Sequence, residues 1–120
     1  MDEQKILFER LKEIKDYWIH SSIKRLKDDK DLVLCECEEQ YDILKRSLKT
    51  EESKDAYEKI MNNVIEGVIH SILVMFDGGD ELTDNFNIDI INADTKKSLK
   101  EYIALNEEFF GYLLDVEENE

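Results

Sequence analysis

Apolar residues recur every three to four positions along most of the chain, which is the spacing of an amphipathic helix. Two such stripes fill the first 48 residues, and a charged run at residues 28–31 separates them. They predict helices over about residues 2–27 and 32–48. The stripe positions are Leu7, Leu11, Ile14 and Trp18 in the first helix, extended by Ile19, Ile23 and Leu26, and Leu34, Cys37, Tyr41, Leu44 and Leu48 in the second.

A third helix is predicted over residues 51–76. Thr50 precedes it as a candidate N-cap, because a threonine hydroxyl can accept from the first free backbone N–H groups. From residue 65 to residue 76 the helix is apolar on nearly all sides. Such a helix is expected to be central and covered by its neighbours. Gly78 and Gly79 are expected to end it, because glycine adopts the positive φ of a helix C-terminus.

Beyond these glycines the apolar period changes from 3.6 to two over residues 86–91, which predicts a short strand. This segment could form a hairpin with residues near 97–100 through a turn at residues 92–96. Alternatively, the last helix could begin with Asp94 as its N-cap rather than cover about residues 101–115. The predicted fold is mainly α: a single-domain helical bundle over residues 1–120, with a short β element before the last helix.

Length and composition narrow the class of protein. At 120 residues and 42% hydrophobic content, the chain can bury a core without metal or disulfide staples. Its charged N-terminus does not resemble a signal peptide, which predicts a cytoplasmic protein. No run reaches the ~20 apolar residues of a membrane helix, so no membrane contact is expected. Cys35 and Cys37 are predicted to be free thiols in a reducing compartment.

Charge is concentrated at the C-terminal end. The net charge is −14, and residues 77–120 hold 13 acidic and three basic groups. Such a field repels nucleic acid and attracts a basic protein partner, although acidity can also serve only solubility. The predicted partner-binding residues are Asp77, Asp80, Glu81, Asp84 and Asp89, with Glu107 and Glu108 behind them.

One histidine could serve catalysis. Glu66 and His70 are four residues apart on one helical face, and His20 could join them in a metal-dependent or hydrolytic enzyme. A metal site needs three or more converging ligands, so a structural histidine is favoured, and no metal, cofactor or catalytic residue is predicted. The sequence DGGD at residues 77–80 closes a helix instead of opening one, which excludes a phosphate-binding loop.

The last helix suggests a further alternative. Phe109 and Phe110 are adjacent, so one helix face cannot bury both, and one of them is expected to be exposed. An exposed phenylalanine could contribute to a helical adaptor or a homodimer.

The segment VIHSILVMFDGGDEL, the stretch FNIDIIN and the helix LNEEFFGYLLD together resemble the C-terminal half of small bacterial proteins encoded near polymorphic toxins. Some of those are presumed immunity proteins. Where that family often carries a histidine, this chain has Asn106. The resemblance implies stoichiometric binding without turnover. The leading expectation is therefore an immunity or inhibitor protein that neutralises a basic toxin domain such as a nuclease.

Overall fold

The computed structural model describes residues 2–27 and 37–118 and is mainly helical. The elements are α1 (Glu3–Lys27), α2 (Glu38–Ser47), α3 (Glu51–Phe76), a 3₁₀ turn (Glu81–Asp84) and α4 (Leu105–Glu118). They form two compact units. We call Met1–Lys12 with Glu66–Glu120 the acidic unit and Glu13–Ile65 the three-helix unit.

The acidic unit is built around one apolar cluster. Its buried members come from α1, α3 and α4, and half-buried residues of the same unit pack against them. Phe8 and Phe109 pack with ring centroids 5.5 Å apart, and Tyr112 lies against both. The buried members are Phe8, Leu73, Leu105, Phe109 and Leu113.

The three-helix unit has a smaller buried cluster on α1, formed by Ile19, Ile23 and Leu26. The predicted stripe of α2 packs against it through Tyr41, Leu44 and Leu48. A chain of hydroxyl groups joins the helices: Tyr41 donates to Ser22 at 3.0 Å, and Ser22 lies 3.2 Å from the Tyr57 hydroxyl.

Helix ends follow local sequence rules. Ser53 N–H donates to Thr50 Oγ1 at 3.0 Å, and Thr50 N–H donates to Ser53 Oγ at 3.2 Å, which is a reciprocal cap on α3. At the other end Gly78 adopts φ 81°. A Cβ on Gly79 would lie 2.9 Å from a Val74 methyl. The two glycines thus serve different needs, one conformational and one steric.

Two predictions about the fold are wrong. Only Leu73 of α3 is buried, so residues 65–76 are not the covered centre of the bundle. Nor do residues 86–91 form a strand: the described chain has a single antiparallel bridge there, between Ile91 and Ser98. The turn does lie at residues 92–96, as the hairpin alternative predicted, and Lys96 adopts φ 66° in it. Alternating side chains favour extended backbone, but turns follow Ser98 at once, so the two segments cannot continue as a ladder.

The helix bounds also differ from those predicted. Helix α4 begins at Leu105, so the N-cap at Asp94 is wrong and the predicted start at residue 101 is four residues early. Helix α2 begins at Glu38. Residues 32–36 of the predicted second helix, including Leu34 and Cys35, lie outside the described residues. Cys37 is exposed and immediately precedes α2.

Candidate functional site

The predicted partner-binding carboxylates all belong to the acidic unit, and six of the seven are exposed. Three of these surround the 3₁₀ turn: Asp80 precedes it, and Glu81 and Asp84 lie in it. Within residues 2–27 and 37–118, the ion pairs all join other residues, so no lysine or arginine there neutralises these three carboxylates. Their charge therefore remains available to a partner.

Asp77 differs from the other six because its carboxylate has an intramolecular role. Its Oδ1 accepts from the Leu105 N–H at 2.9 Å. Its Oδ2 accepts from the Asn106 N–H at 2.9 Å and from the Asn106 amide at 2.6 Å. An anion at a helix N-terminus satisfies free N–H groups and meets the positive end of the dipole. Asp77, one residue beyond α3, thus holds the start of α4.

Lys100 is a structural residue that the sequence analysis did not single out. Its ammonium group donates to the carbonyl oxygens of Phe76 and Ile88, at 2.5 and 2.7 Å. The first is the last residue of α3, so the cation meets the negative end of that helix dipole. Asp77 and Lys100 therefore satisfy the two facing helix ends with opposite charges. The bond from Lys100 to Phe76 spans 24 residues, so no local sequence signal linked this lysine to the end of α3.

All three basic residues of the segment 77–120 line one cavity of about 640 Å³. Its walls also carry three carboxylates, from Asp77, Asp89 and Glu101. Asp89 accepts from the Ser98 hydroxyl at 2.8 Å. With three lysines facing three acids this cavity has no net charge, so it does not extend the acidic surface. The lysines are Lys96, Lys97 and Lys100.

A second cavity, of about 530 Å³, brings Glu107 and Glu108 together with apolar side chains. We call it the acidic cleft. Phe8, Ile103 and Tyr112 supply its apolar lining, while Asp2 and Asp115 add two further carboxylates. Lys5 is the one cation among the described residues that line it. Aromatic rings beside carboxylates suit the apolar stem and charged head of an arginine or lysine.

Helix α4 carries the cleft on one side and an exposed apolar pair on another. Phe109 is buried at 2% exposure and Phe110 is 58% exposed, which confirms that the two phenylalanines diverge. Leu114, four residues after Phe110, is 53% exposed. Exposed apolar side chains within a charged surface are a common feature of binding interfaces.

The enzyme alternative depends on Glu66, His70 and His20. His20 and His70 are both exposed, and Glu66 is half-buried. Among residues 2–27 and 37–118, no group of three or more histidine, cysteine, aspartate or glutamate side chains could hold a metal ion.

Helix α3 bears on the question of membranes. It is long and apolar enough to cross a bilayer, and 6% of its most apolar stretch is buried. The core helices of soluble proteins that pass the same test of length and composition are mostly buried, and this stretch is not. The expected absence of membrane contact therefore stays a prediction.

Comparison with protein-family models, with curated proteins and with solved structures gives no match.

Proposed function

We propose that this chain is a binding protein whose acidic unit captures a basic protein partner. The acidic cleft carries the proposal, because it combines four carboxylates and an aromatic lining in a space that accommodates a cationic side chain. The acidic unit as a whole holds 17 acidic and six basic residues, a net charge of −11. This field would accelerate encounter with a cationic protein, and the cleft would supply the specific contact.

The exposed acids divide into two sets under this proposal. Glu107 and Glu108 line the cleft and contact the inserted side chain. Asp80, Glu81, Asp84 and Asp89 act on the approaching partner through the field, because exposed charges affect association rate more than dissociation rate. Asp77 contributes by fixing the start of the helix that carries the cleft glutamates.

The more specific proposal is that the partner is a toxin domain, such as a nuclease, and that the chain is its immunity protein. This rests on the resemblance of residues 68–115 and on the charge, since an acidic surface can mimic the anionic substrate of a nuclease. The test is coexpression with the product of the adjacent reading frame. A toxic product that this chain neutralises in a stable complex would support it, and a metabolic enzyme with no affinity would contradict it.

The cleft can be tested without a known partner by titrating the ¹⁵N-labelled protein with arginine amide. Citrulline amide is the matched control, because it has nearly the same shape and the same α-ammonium group but lacks the charge of the side chain. Arginine amide is expected to shift the resonances of Tyr112 and Gly111, and citrulline amide is not. The double variant Glu107→Lys/Glu108→Lys should abolish the shifts. Equal shifts with both amides, or shifts confined to residues 80–84, would contradict the cleft as the contact site.

Gly111 offers a second test because it lines the cleft from within α4. A Cβ placed there would have no atom within 4 Å, so Gly111→Gln adds a side chain without a clash. Replacing a helix-interior glycine should raise stability by about 0.5–1 kcal/mol, while the new side chain narrows the cleft. Raised stability with weakened arginine amide binding would separate a site effect from a folding effect. Unchanged binding would count against the cleft.

A further inference from the structure

Two residues of the acidic unit have a backbone conformation that is costly for their side chains. Lys96 has φ 66° and Tyr102 has φ 65°, and no other residue except glycine has a positive φ within residues 2–27 and 37–118. Lysine and tyrosine are unusual in this left-handed region, which glycine and asparagine tolerate better. Strained backbone of this kind is concentrated at ligand-binding and catalytic sites. The residues between Lys96 and Tyr102 are therefore candidates for a binding segment.

These residues form one wall of the cavity of about 640 Å³ that all three lysines of residues 77–120 line. We call it the mixed-charge cavity. The wall is fixed at its middle: the Leu99 N–H donates to the Ile90 carbonyl at 2.8 Å, and the Leu99 carbonyl accepts from the Gln4 side-chain amide at 2.8 Å. A ligand would thus meet groups whose backbone needs no ordering, which lowers the entropic cost of binding. The lining residues of this wall are Lys96, Lys97, Ser98, Lys100 and Glu101.

Half of the six charged groups in this cavity already serve the fold. The Asp77 carboxylate caps α4, and the Lys100 ammonium group binds carbonyl oxygens at the end of α3 and at Ile88. The Asp89 carboxylate accepts from the Ser98 hydroxyl through Oδ1. Asp77 and Lys100 are thus occupied within the chain, whereas the second oxygen of Asp89 accepts no hydrogen bond from a described residue.

The other three charged groups are open to a ligand. Lys96, Lys97 and Glu101 are exposed. Within residues 2–27 and 37–118, their side chains form neither an ion pair nor a hydrogen bond. The cavity therefore presents two ammonium groups on adjacent residues, together with one carboxylate and the second oxygen of Asp89.

This combination selects a ligand that carries both charges. A carboxylate would bind Lys96 and Lys97, and an ammonium group would bind Glu101 and Asp89, through charge-assisted hydrogen bonds. A ligand with only a negative charge would be repelled by the net charge of −11 on the acidic unit. A ligand with only a positive charge would leave both lysines without a partner.

We propose that the mixed-charge cavity binds a free aliphatic α-amino acid through its ammonium and carboxylate groups. Ile103 and Ala104 supply apolar lining for the side chain of the ligand. A cavity of about 640 Å³ lies within the range of small-molecule sites. Amino-acid binding here does not depend on capture of a basic partner, since Glu107 and Glu108 line the acidic cleft and not this cavity.

Titration of the ¹⁵N-labelled chain with L-leucine tests both contacts. Leucine amide retains only the ammonium group, and N-acetyl-leucine retains only the carboxylate. Leucine is expected to shift the amide resonances of Ser98 and Glu101 in a saturable way. It should bind at least about tenfold more tightly than either analogue, because each analogue loses one set of charge-assisted hydrogen bonds.

Lys96→Gly separates the site from the fold, because it removes an ammonium group and also relieves the strain of the positive φ. It should weaken leucine binding about tenfold, while the melting temperature stays the same or rises. Lys97→Met should weaken binding to a similar extent without any change at the strained position. Lys59→Met is the matched control, because Lys59 is an exposed lysine of the three-helix unit, and it should leave binding unchanged.

The absence of a saturable shift with leucine would overturn the proposal, as would binding that survives both Lys96→Gly and Lys97→Met. Equal affinity for leucine and N-acetyl-leucine would contradict it by showing that the cavity recognises only an anion. Equal affinity for leucine and leucine amide would contradict it by showing that the cavity recognises only a cation. Leucine shifts confined to Gly111 and Tyr112 would place the binding at the acidic cleft instead. Capture of a basic partner is tested separately, by the arginine amide titration of that cleft.

Discussion

The two units of this chain differ most in charge. The acidic unit holds 17 acidic and six basic residues, whereas the three-helix unit holds 13 and ten. The acidic unit buries five apolar residues in its main cluster and the three-helix unit buries three. The unit with the stronger negative charge therefore also has the larger core, and burial of that core can offset the repulsion between its carboxylates. The three-helix unit, which is nearly neutral, instead carries exposed apolar residues of α1 and α3, among them Trp18 and Ile60.

The units also differ in how buried polar groups are used. In the acidic unit, Asp77 and Lys100 satisfy helix ends through backbone groups. In the three-helix unit, Lys15 is 2% exposed, and its ammonium group contacts two side chains, Asn62 at 2.8 Å and Asp16 at 3.3 Å. Backbone partners cannot be removed by substitution, but side-chain partners can. The contacts at the helix ends of the acidic unit can therefore be removed only by replacing Asp77 or Lys100. The contact between Lys15 and Asn62 can be removed by replacing either residue.

The largest expected loss comes from the core of the acidic unit. Leu105 is fully buried, so Leu105→Ala should reduce the free energy of unfolding by about 2–5 kcal/mol. The comparison variant is Leu26→Ala, which removes the same atoms from the smaller cluster of the three-helix unit. Urea denaturation measures both. Leu26→Ala is expected to lose less stability than Leu105→Ala, and a larger loss in Leu26→Ala would contradict this order.

Lys15→Ala should cost nearly as much, because it truncates a buried side chain and leaves Asn62 without its ammonium donor. We expect a loss of about 2–4 kcal/mol. Lys15→Met keeps the apolar stem and should lose less. Thermal unfolding of the two variants distinguishes packing from polar pairing: equal losses would show that the stem contributes nothing.

Asp77→Ala should reduce stability by about 1–2 kcal/mol, because the N–H groups of Leu105 and Asn106 lose their cap. Asp80→Ala is the matched control, since its carboxylate accepts only from the Leu82 N–H of an exposed turn, and its loss should be smaller. Circular dichroism during denaturation checks both. Equal losses would refute the special role of Asp77 at the start of α4.

The smallest effect concerns Tyr102, which is 96% exposed and has φ 65°. A side chain in the left-handed region is strained, and glycine relieves this at an entropic cost, so Tyr102→Gly should raise stability by about 0.5 kcal/mol. Phe86→Gly is the control, because Phe86 is exposed without a positive φ and should lose stability. Differential scanning calorimetry measures the change in stability of both variants. A loss of stability in Tyr102→Gly would contradict the prediction and show that contacts of the Tyr102 ring stabilise the chain.

Much of the local structure could be predicted from the sequence. The 3.6-residue period placed α1 and α3 within one residue of their observed bounds, and the Thr50 cap and the Gly78 terminus followed from residue chemistry. These features depend on neighbours a few residues apart. The partner-binding acids were chosen for charge alone. Six of the seven are exposed, but charge did not predict that Asp77 caps α4 or that Glu107 and Glu108 share a cleft with Phe8.

Only the tertiary structure decided which apolar surface is covered. The sequence of residues 65–76 is apolar on nearly every side, yet Leu73 alone is buried in α3. The apolar pattern indicates which residues can be buried, but it does not indicate how many other helices pack against them. In the same way, an alternating segment at residues 86–91 favours extended backbone, but a strand also needs a partner of sufficient length, and the chain turns away after Ser98. The bond from Asp77 to Leu105 spans 28 residues, and no local pattern encodes a contact at that distance.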